Sequence, residues 1–204
     1  MSYGWLWVGL GNPGFDYSVT RHNVGFMVLD FLKNIFEYSQ TNPFREFQKK
    51  NALLTAVTYK EHQILLCKPL SYMNLSGNVV LELLKLYDIP LDRLVVFHDE
   101  LELAFGTQRW RFGGGHRGHN GVRHISARCG TDYGRFRIGI GRPPGAMEVS
   151  KFVLSDFTSQ ERLRLDASIF PSIQRALPWI LQQKSHEISQ ALQEDKIDSS
   201  KDFP

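Results

Sequence analysis

Cysteine is scarce in this chain, with only Cys67 and Cys129 among 204 residues, and no C-x-x-C spacing links them. A disulfide framework and a zinc knuckle are thereby excluded, and two buried thiols are expected. Long hydrophobic runs are missing too: no stretch reaches the roughly 18 apolar residues that could span a bilayer. Met1-Ser2-Tyr3-Gly4 carries no basic region leading into an apolar signal segment, so a soluble cytoplasmic protein with no membrane partner is expected. The sequon Asn74-Leu75-Ser76 then has no meaning. There is no G-x-S-x-G, which excludes a nucleophile-elbow serine enzyme, and no H-E-x-x-H. No repeat or linker divides the chain, and its length, at 42% hydrophobic, suffices for one compact core.

Lysine is absent between Gly106 and Met147, where arginine is abundant. Eight arginines (Arg109, Arg111, Arg117, Arg123, Arg128, Arg135, Arg137 and Arg142) stand there against one acid, Asp132. The segment carries +7 in a chain whose total is +3, so the remainder is net acidic. Guanidinium groups bind phosphate oxygens bidentately, and such a block points to a phosphate-rich partner such as a nucleic acid. The plain alternative is a solvated face of scattered arginines.

Periodicity gives an alternating order of elements. Trp5–Leu10 reads as a buried strand. A Gly/Pro loop follows, and Thr20 is placed as N-cap of a helix carrying Val24, Met27, Val28, Phe31, Leu32 and Ile35. Ala52–Tyr59 and Gln63–Cys67 read as a hairpin turning at Lys60-Glu61-His62. Ser76–Leu86 is helical, and Leu94–Phe97 is a strand ending at His98-Asp99-Glu100. Gln108–Phe112 and Arg135–Ile140 alternate as half-buried strands do. A helix over Asn120–Cys129 lies between them. Thr158–Ala191 is mainly helical, with breaks expected at Pro171 and Pro178. The class is α/β: a single domain over residues 1–193, with a mixed twisted sheet flanked by helices on both faces. A polar, frayed tail is expected over 194–204.

Gly9-Leu10-Gly11-Asn12-Pro13-Gly14 formally satisfies the dinucleotide fingerprint after a strand. Pro13 and Phe15-Asp16-Tyr17 prolong the loop, however, and the position where an acid should follow falls inside the helix. The longer string through Tyr17, Thr20-Arg21-His22-Asn23 and Gly25 is more informative, because it sets an imidazole and two carboxamides at a strand–loop–helix junction. On its own, His22 reads better as a capping or packed histidine than as a catalytic one. Asn74 stands just before a helix, in Lys68-Pro69-x-Ser71-Tyr72-Met73-Asn74-x-Ser76-Gly77. Asp99 stands at a strand end, where open α/β sheets collect ligand-binding groups. Gly113-Gly114-Gly115-His116-Arg117-Gly118-His119-Asn120-Gly121 offers backbone for close approach and closes on another asparagine. His116-x-x-His119 with His98-Asp99-Glu100 could supply metal ligands, but the spacing matches no established zinc pattern. A non-catalytic RNA-binding module using the arginines and an exposed Trp110 is the alternative of another class.

These motifs in this order, with Arg135-Phe136-Arg137-Ile138-Gly139-Ile140-Gly141-Arg142-Pro143, resemble the bacterial-type peptidyl-tRNA hydrolase family from Leu6 to about Phe157. The resemblance implies hydrolysis of the ester between a peptide and the 3′ ribose of tRNA. His22 is then the base and Asp99 its orienting partner, with Asn12, Asn74 and Asn120 shaping the site. Tyr17, Asn23 and Met73 belong to the same cluster, and Arg111 and Arg137 match a pair that clamps the tRNA 5′ phosphate. The resemblance implies peptidyl-tRNA as the nucleic-acid partner of a monomer, with no cofactor and no metal. The chain departs from the usual pattern at Arg117, commonly glycine, and at Glu100, where many relatives have aspartate. The chemistry needs no serine nucleophile: the ester is already activated, a neutral histidine can take a proton from water, and amides can serve the oxyanion without titrating.

Overall fold

The computed structural model of the protein describes residues 3–38 and 45–192; the expected tail at 194–204 lies outside them. A seven-stranded sheet runs in the order β2-β3-β4-β1-β5-β7-β6, with β1 (Trp5–Gly9), β2 (Arg45–Lys49), β3 (Ala52–Tyr59), β4 (His62–Pro69), β5 (Leu94–Glu100), β6 (Gln108–Phe112) and β7 (Gly134–Gly139). The four central strands β4, β1, β5 and β7 are parallel, and β2, β3 and β6 add antiparallel edges. The mixed sheet expected from the alternation of elements is thus present, and β2 is an edge strand that periodicity did not reveal.

Successive side chains of β1 separate the two cores, as strand geometry dictates. Trp5 and Trp7 face a layer made by α1 (Val24–Tyr38), α6 (Phe170–Leu181) and α7 (Ser185–Ala191). Leu6 and Val8 face α2 (Ser76–Tyr87) and α3 (Asn120–Cys129). Both layers press on fully buried strands, which explains the unbroken apolar runs. Short helices α4 (Val149–Val153) and α5 (Ser159–Arg164) complete the chain order before α6.

Several local expectations are corrected. Thr20 does not cap α1; its hydroxyl donates to the Tyr17 carbonyl at 2.8 Å, and a 3-10 turn over Arg21–Asn23 leads into the helix. β7 is buried along its whole length, because its arginines are packed and paired. Pro171 sits at the start of α6 and Pro178 inside it, so neither ends the helical stretch; a π-helical turn at Leu165–Ile169 precedes Pro171. Cys67 is buried as expected, but Cys129 is only partly so.

The glycines after β1 serve packing. A Cβ on Gly9 would lie 2.3 Å from the Gly25 carbonyl oxygen, and one on Gly25 would lie 2.3 Å from the Phe97 oxygen. The start of α1 therefore rests directly on the backbone of β1 and β5. The contact delivers residues 21–23 to the carboxyl ends of those strands, beside β1, whose parallel neighbours β4 and β5 lie on its two opposite sides. Ligands of open parallel sheets gather at such a crossing.

Candidate active site

His22, in the turn before α1, and Asp99, at the end of β5, meet across neighbouring strands. His22 Nδ1 lies 2.8 Å from Asp99 Oδ1. The same oxygen lies 2.9 Å from His119 Nε2. His119 is the N-cap of α3, and its Nδ1 accepts from the Gly121 and Val122 amides at 3.1 and 3.3 Å. An atom accepting two backbone N–H groups carries no proton, so the His119 proton is on Nε2 and is donated to Asp99. The carboxylate thus faces two N–H donors.

Burial raises the Asp99 carboxyl, but the electrostatic influence of the two adjacent imidazoles, His22 and His119, and the hydrogen bonds they make to it outweigh this and hold the group well below the ordinary carboxylate range. For His22, burial lowers the imidazole, and the Asp99 charge and hydrogen bond more than reverse this, leaving it above its ordinary value. His98 lies behind, with Nδ1 donating to the Asp99 carbonyl at 2.7 Å. Burial and the neighbouring His119 keep it well below its usual range, and it stays uncharged.

Asn12 is fixed from three sides. Its amide N–H donates to Asn23 Oδ1 at 2.8 Å, and its carbonyl accepts from Asn23 Nδ2 at 2.9 Å. Its own Oδ1 accepts the Met73 amide at 2.9 Å. Since Met73 N–H can only donate, the Asn12 carboxamide is oriented, and the Nδ2 hydrogens are left for the cleft.

His22 and Asn12 open on a cleft of about 390 Å³, also lined by Met73, Asn74 and Asn120. These are five of the residues singled out in the sequence, drawn from three loops. Asp99 stands behind His22. Asn23 is 2% exposed and spends its amide on the Asn12 backbone, so it supports the site from beneath. Tyr17 does not line the cleft, and its ring lies against Gly14. Tyr72, Arg123, Ser150, Val153 and Leu154 complete the lining and were not singled out beforehand. Arg123 could have been marked by its place in the arginine block, and His119 by its position closing the Gly-rich loop. Nothing local marks Val153 or Leu154, which are ordinary apolar residues of a short helix.

The arginines divide by partner. Arg111 is exposed on β6 and lies against the Gly-rich loop, where a Cβ on Gly114 would sit 2.5 Å from its Nε. Arg137 is 8% exposed, and its Nε and Nη2 reach Glu100 Oε2 at 2.9 and 2.8 Å. Arg135 donates to the carbonyls of Gly113 and Gly115, tying that loop to β7. Trp110, expected to be exposed, is half-buried: its indole covers Gly134 and donates to Ser185 Oγ at 3.0 Å. Arg117 has φ 46, a left-handed conformation that explains why glycine suits this position.

Ligand atoms of His22, Asp99 and His119 lie within 4.8 Å of one another. This differs from the set around His116 and His98 weighed from the sequence. Here the proton placed on His119 Nε2 makes the cluster a hydrogen-bonded relay, since that nitrogen has no lone pair free for a cation.

Fold and cleft together define a single-domain protein of the α/β class, with a mixed sheet between two helical layers and a histidine–carboxylate pair flanked by carboxamides at the strand ends. A sequence profile described as peptidyl-tRNA hydrolase matches residues 6–200, well past the segment whose motifs carry the resemblance. The peptidyl-tRNA hydrolase of Ehrlichia ruminantium (strain Welgevonden) is 46% identical over 155 residues, covering 76% of this chain and 77% of that protein. That of Mycobacterium marinum is 47% identical over 158 residues, covering 77% and 81%. The crystal structure of the Acinetobacter baumannii enzyme superposes with a TM-score of 0.78 at 34% identity, covering 94% of each chain. A peptidyl-tRNA hydrolase crystallised with N-propanol gives 0.80 at 33% identity, covering 92% of this chain and 93% of that one. The chain belongs to the peptidyl-tRNA hydrolase family.

Proposed function

We propose that this protein hydrolyses the ester between a peptide and the 3′ ribose of tRNA, releasing both, and that His22 and Asn12 carry the chemistry. One observation supports the assignment above the rest: His22 has Nδ1 occupied by Asp99, while its ring lines the same cleft as the oriented Asn12 amide. Nε2 then takes a proton from water as that water attacks the ester carbonyl, and the imidazolium formed is stabilised by Asp99. Asn12 Nδ2 donates to the oxyanion. His22 returns the proton to the departing ribose oxygen. Asn74 and Asn120 hold polar groups of the substrate on either side; Asn120 Oδ1 is occupied by Arg123 at 2.9 Å, which leaves its Nδ2 free to donate. Met73 supplies an apolar contact. We place this activity in the cytoplasm, in a monomer that uses no cofactor; no helix among the described residues is long and apolar enough to cross a membrane.

Turnover of a peptidyl-tRNA by the purified chain tests the reading, with EDTA in one arm and magnesium restored to control for tRNA folding. Release of peptide in both arms is expected. Tight tRNA binding with no release would reduce the protein to an RNA-binding module, and loss in EDTA restored by zinc alone would return a metal to the His22–Asp99–His119 cluster.

The basic pair acts as two different parts. Exposed Arg111 is the phosphate contact, so Arg111→Ala should raise KM with little change in kcat and flatten the log–log salt slope by about 0.7–0.9. Arg137→Ala instead strands Glu100 in a buried site next to Asp99, and a stability loss of roughly 3–5 kcal/mol should appear in denaturant titration. Equal KM effects with equal stability would mean that both arginines meet phosphate.

A further inference from the structure

The α4 side of the cleft is held to the turn that carries His22 by a backbone seam and by the side chain of Arg21. Ser150, Val153 and Leu154 line the cleft from α4 and its C-cap. The segment following them pairs with the residues before His22: the Arg21 amide donates to the Ser155 carbonyl at 3.0 Å, the Phe157 amide donates to the Val19 carbonyl at 3.1 Å, and Thr20 bridges Asp156. Arg21, 7% exposed, then reaches through this seam. Its Nη1 and Nη2 donate to the two oxygens of Glu161 at 2.8 and 2.9 Å, and its Nε to Ser155 Oγ at 3.3 Å. The guanidinium also lies 4.7 Å from the ring centroid of Phe152 and 5.0 Å from that of Phe157. Glu161 is in turn locked into the first turn of α5 by a capping box with Thr158. Burial raises the Glu161 carboxyl, but hydrogen bonds from Arg21 and Thr158 outweigh this and keep it below its ordinary range.

A planar fork bound on both prongs and enclosed by two aromatic rings fixes direction as well as distance. Among the described residues, it ties α4, α5 and the His22 turn to one point. His22 itself has separate support from Asp99, and Asn12 from Asn23 and Met73. The reacting groups and the cleft wall are therefore held by different contacts.

We propose that Arg21 is a positioning residue that sets the α4 wall of the cleft against His22, and with it the affinity for the part of the substrate that passes between Tyr72 and Leu154. This rests on the reading of His22 as the site of chemistry. Releasing the wall removes contacts made equally in ground and transition states, so the effect falls on KM.

The test uses the full chain with Arg21→Lys, Glu161→Gln and the double variant. Lysine keeps the charge and loses the fork. Hydrogen exchange at the amides of Arg21 and Phe157 should quicken by about tenfold or more, while the β1 amides Leu6–Val8 are unmoved. KM for peptidyl-tRNA should rise severalfold with kcat within about twofold of the parent, and the double variant should be no worse than Arg21→Lys alone. Unchanged exchange at Phe157, additive KM effects, or a loss confined to kcat would each overturn the proposal. Should Arg21→Lys not fold, the isosteric Glu161→Gln carries both readouts. Exchange is independent of turnover, so a failure of the His22 assignment would show as an active His22→Ala with the exchange result intact.

Discussion

His22→Ala should lose roughly 10² to 10⁴ in kcat, the range expected when a general base is removed, while affinity for tRNA changes little. On the proposed reading the imidazole acts on a proton that moves only in the transition state, and the exposed arginines proposed to meet phosphate lie away from the substitution. The ring is 8% exposed and contributes little apolar area, so the fold should survive. Single-turnover hydrolysis beside tRNA binding separates the two quantities. Near-parental kcat would move the chemistry to another group in the cleft.

Asp99→Asn should also lower kcat by roughly 10² or more, through loss of the charge that stabilises the imidazolium, and its pH profile should identify the cause. In the parent, His22 is raised above its ordinary value because the Asp99 charge and hydrogen bond outweigh burial. The base works unprotonated, so kcat/KM should climb with pH and reach half its plateau above the ordinary histidine value of about 6.5. In the variant the charge is gone and burial remains, so the midpoint should move to lower pH while the plateau falls. An asparagine can keep its oxygen toward both histidines. Its amide group cannot replace that oxygen, because His119 Nε2 carries a proton and needs an acceptor. The substitution therefore isolates charge from orientation. A lower plateau with an unmoved midpoint would mean that Asp99 only aims the ring; no change in either would leave His22 acting alone.

Much of this was legible in the residues. The hairpin at β3–β4, α2 and the span of α3 follow from apolar spacing and turn residues, which act over a few positions and need no knowledge of the rest of the chain. Asn12, His22, Met73, Asn74, Asp99 and Asn120 were singled out by ordered motifs, and the structure collects them at one end of the parallel strands. The edge strand β2 escaped because Arg45–Lys49 pairs with β3 on one side only and needs no apolar alternation.

What the sequence by itself determined, then, was which segments become most of the strands and helices, since that depends on local spacing and residue type, and which ordered motifs carry the family resemblance. Tertiary structure alone decided partnership. It gave His119 a bond to Asp99, twenty residues away in sequence, once the α3 N-terminus had been brought to the end of β5. It turned Arg137 toward Glu100 and left Arg111 free at the edge, although in the sequence the two look alike. It also brought Val153 and Leu154 to the cleft and paired Arg21 with Glu161, which stand 140 residues apart. Charge pairing and cleft walls depend on distances across the closed chain, and those distances exist only after the sheet has assembled its strands in an order different from that of the sequence.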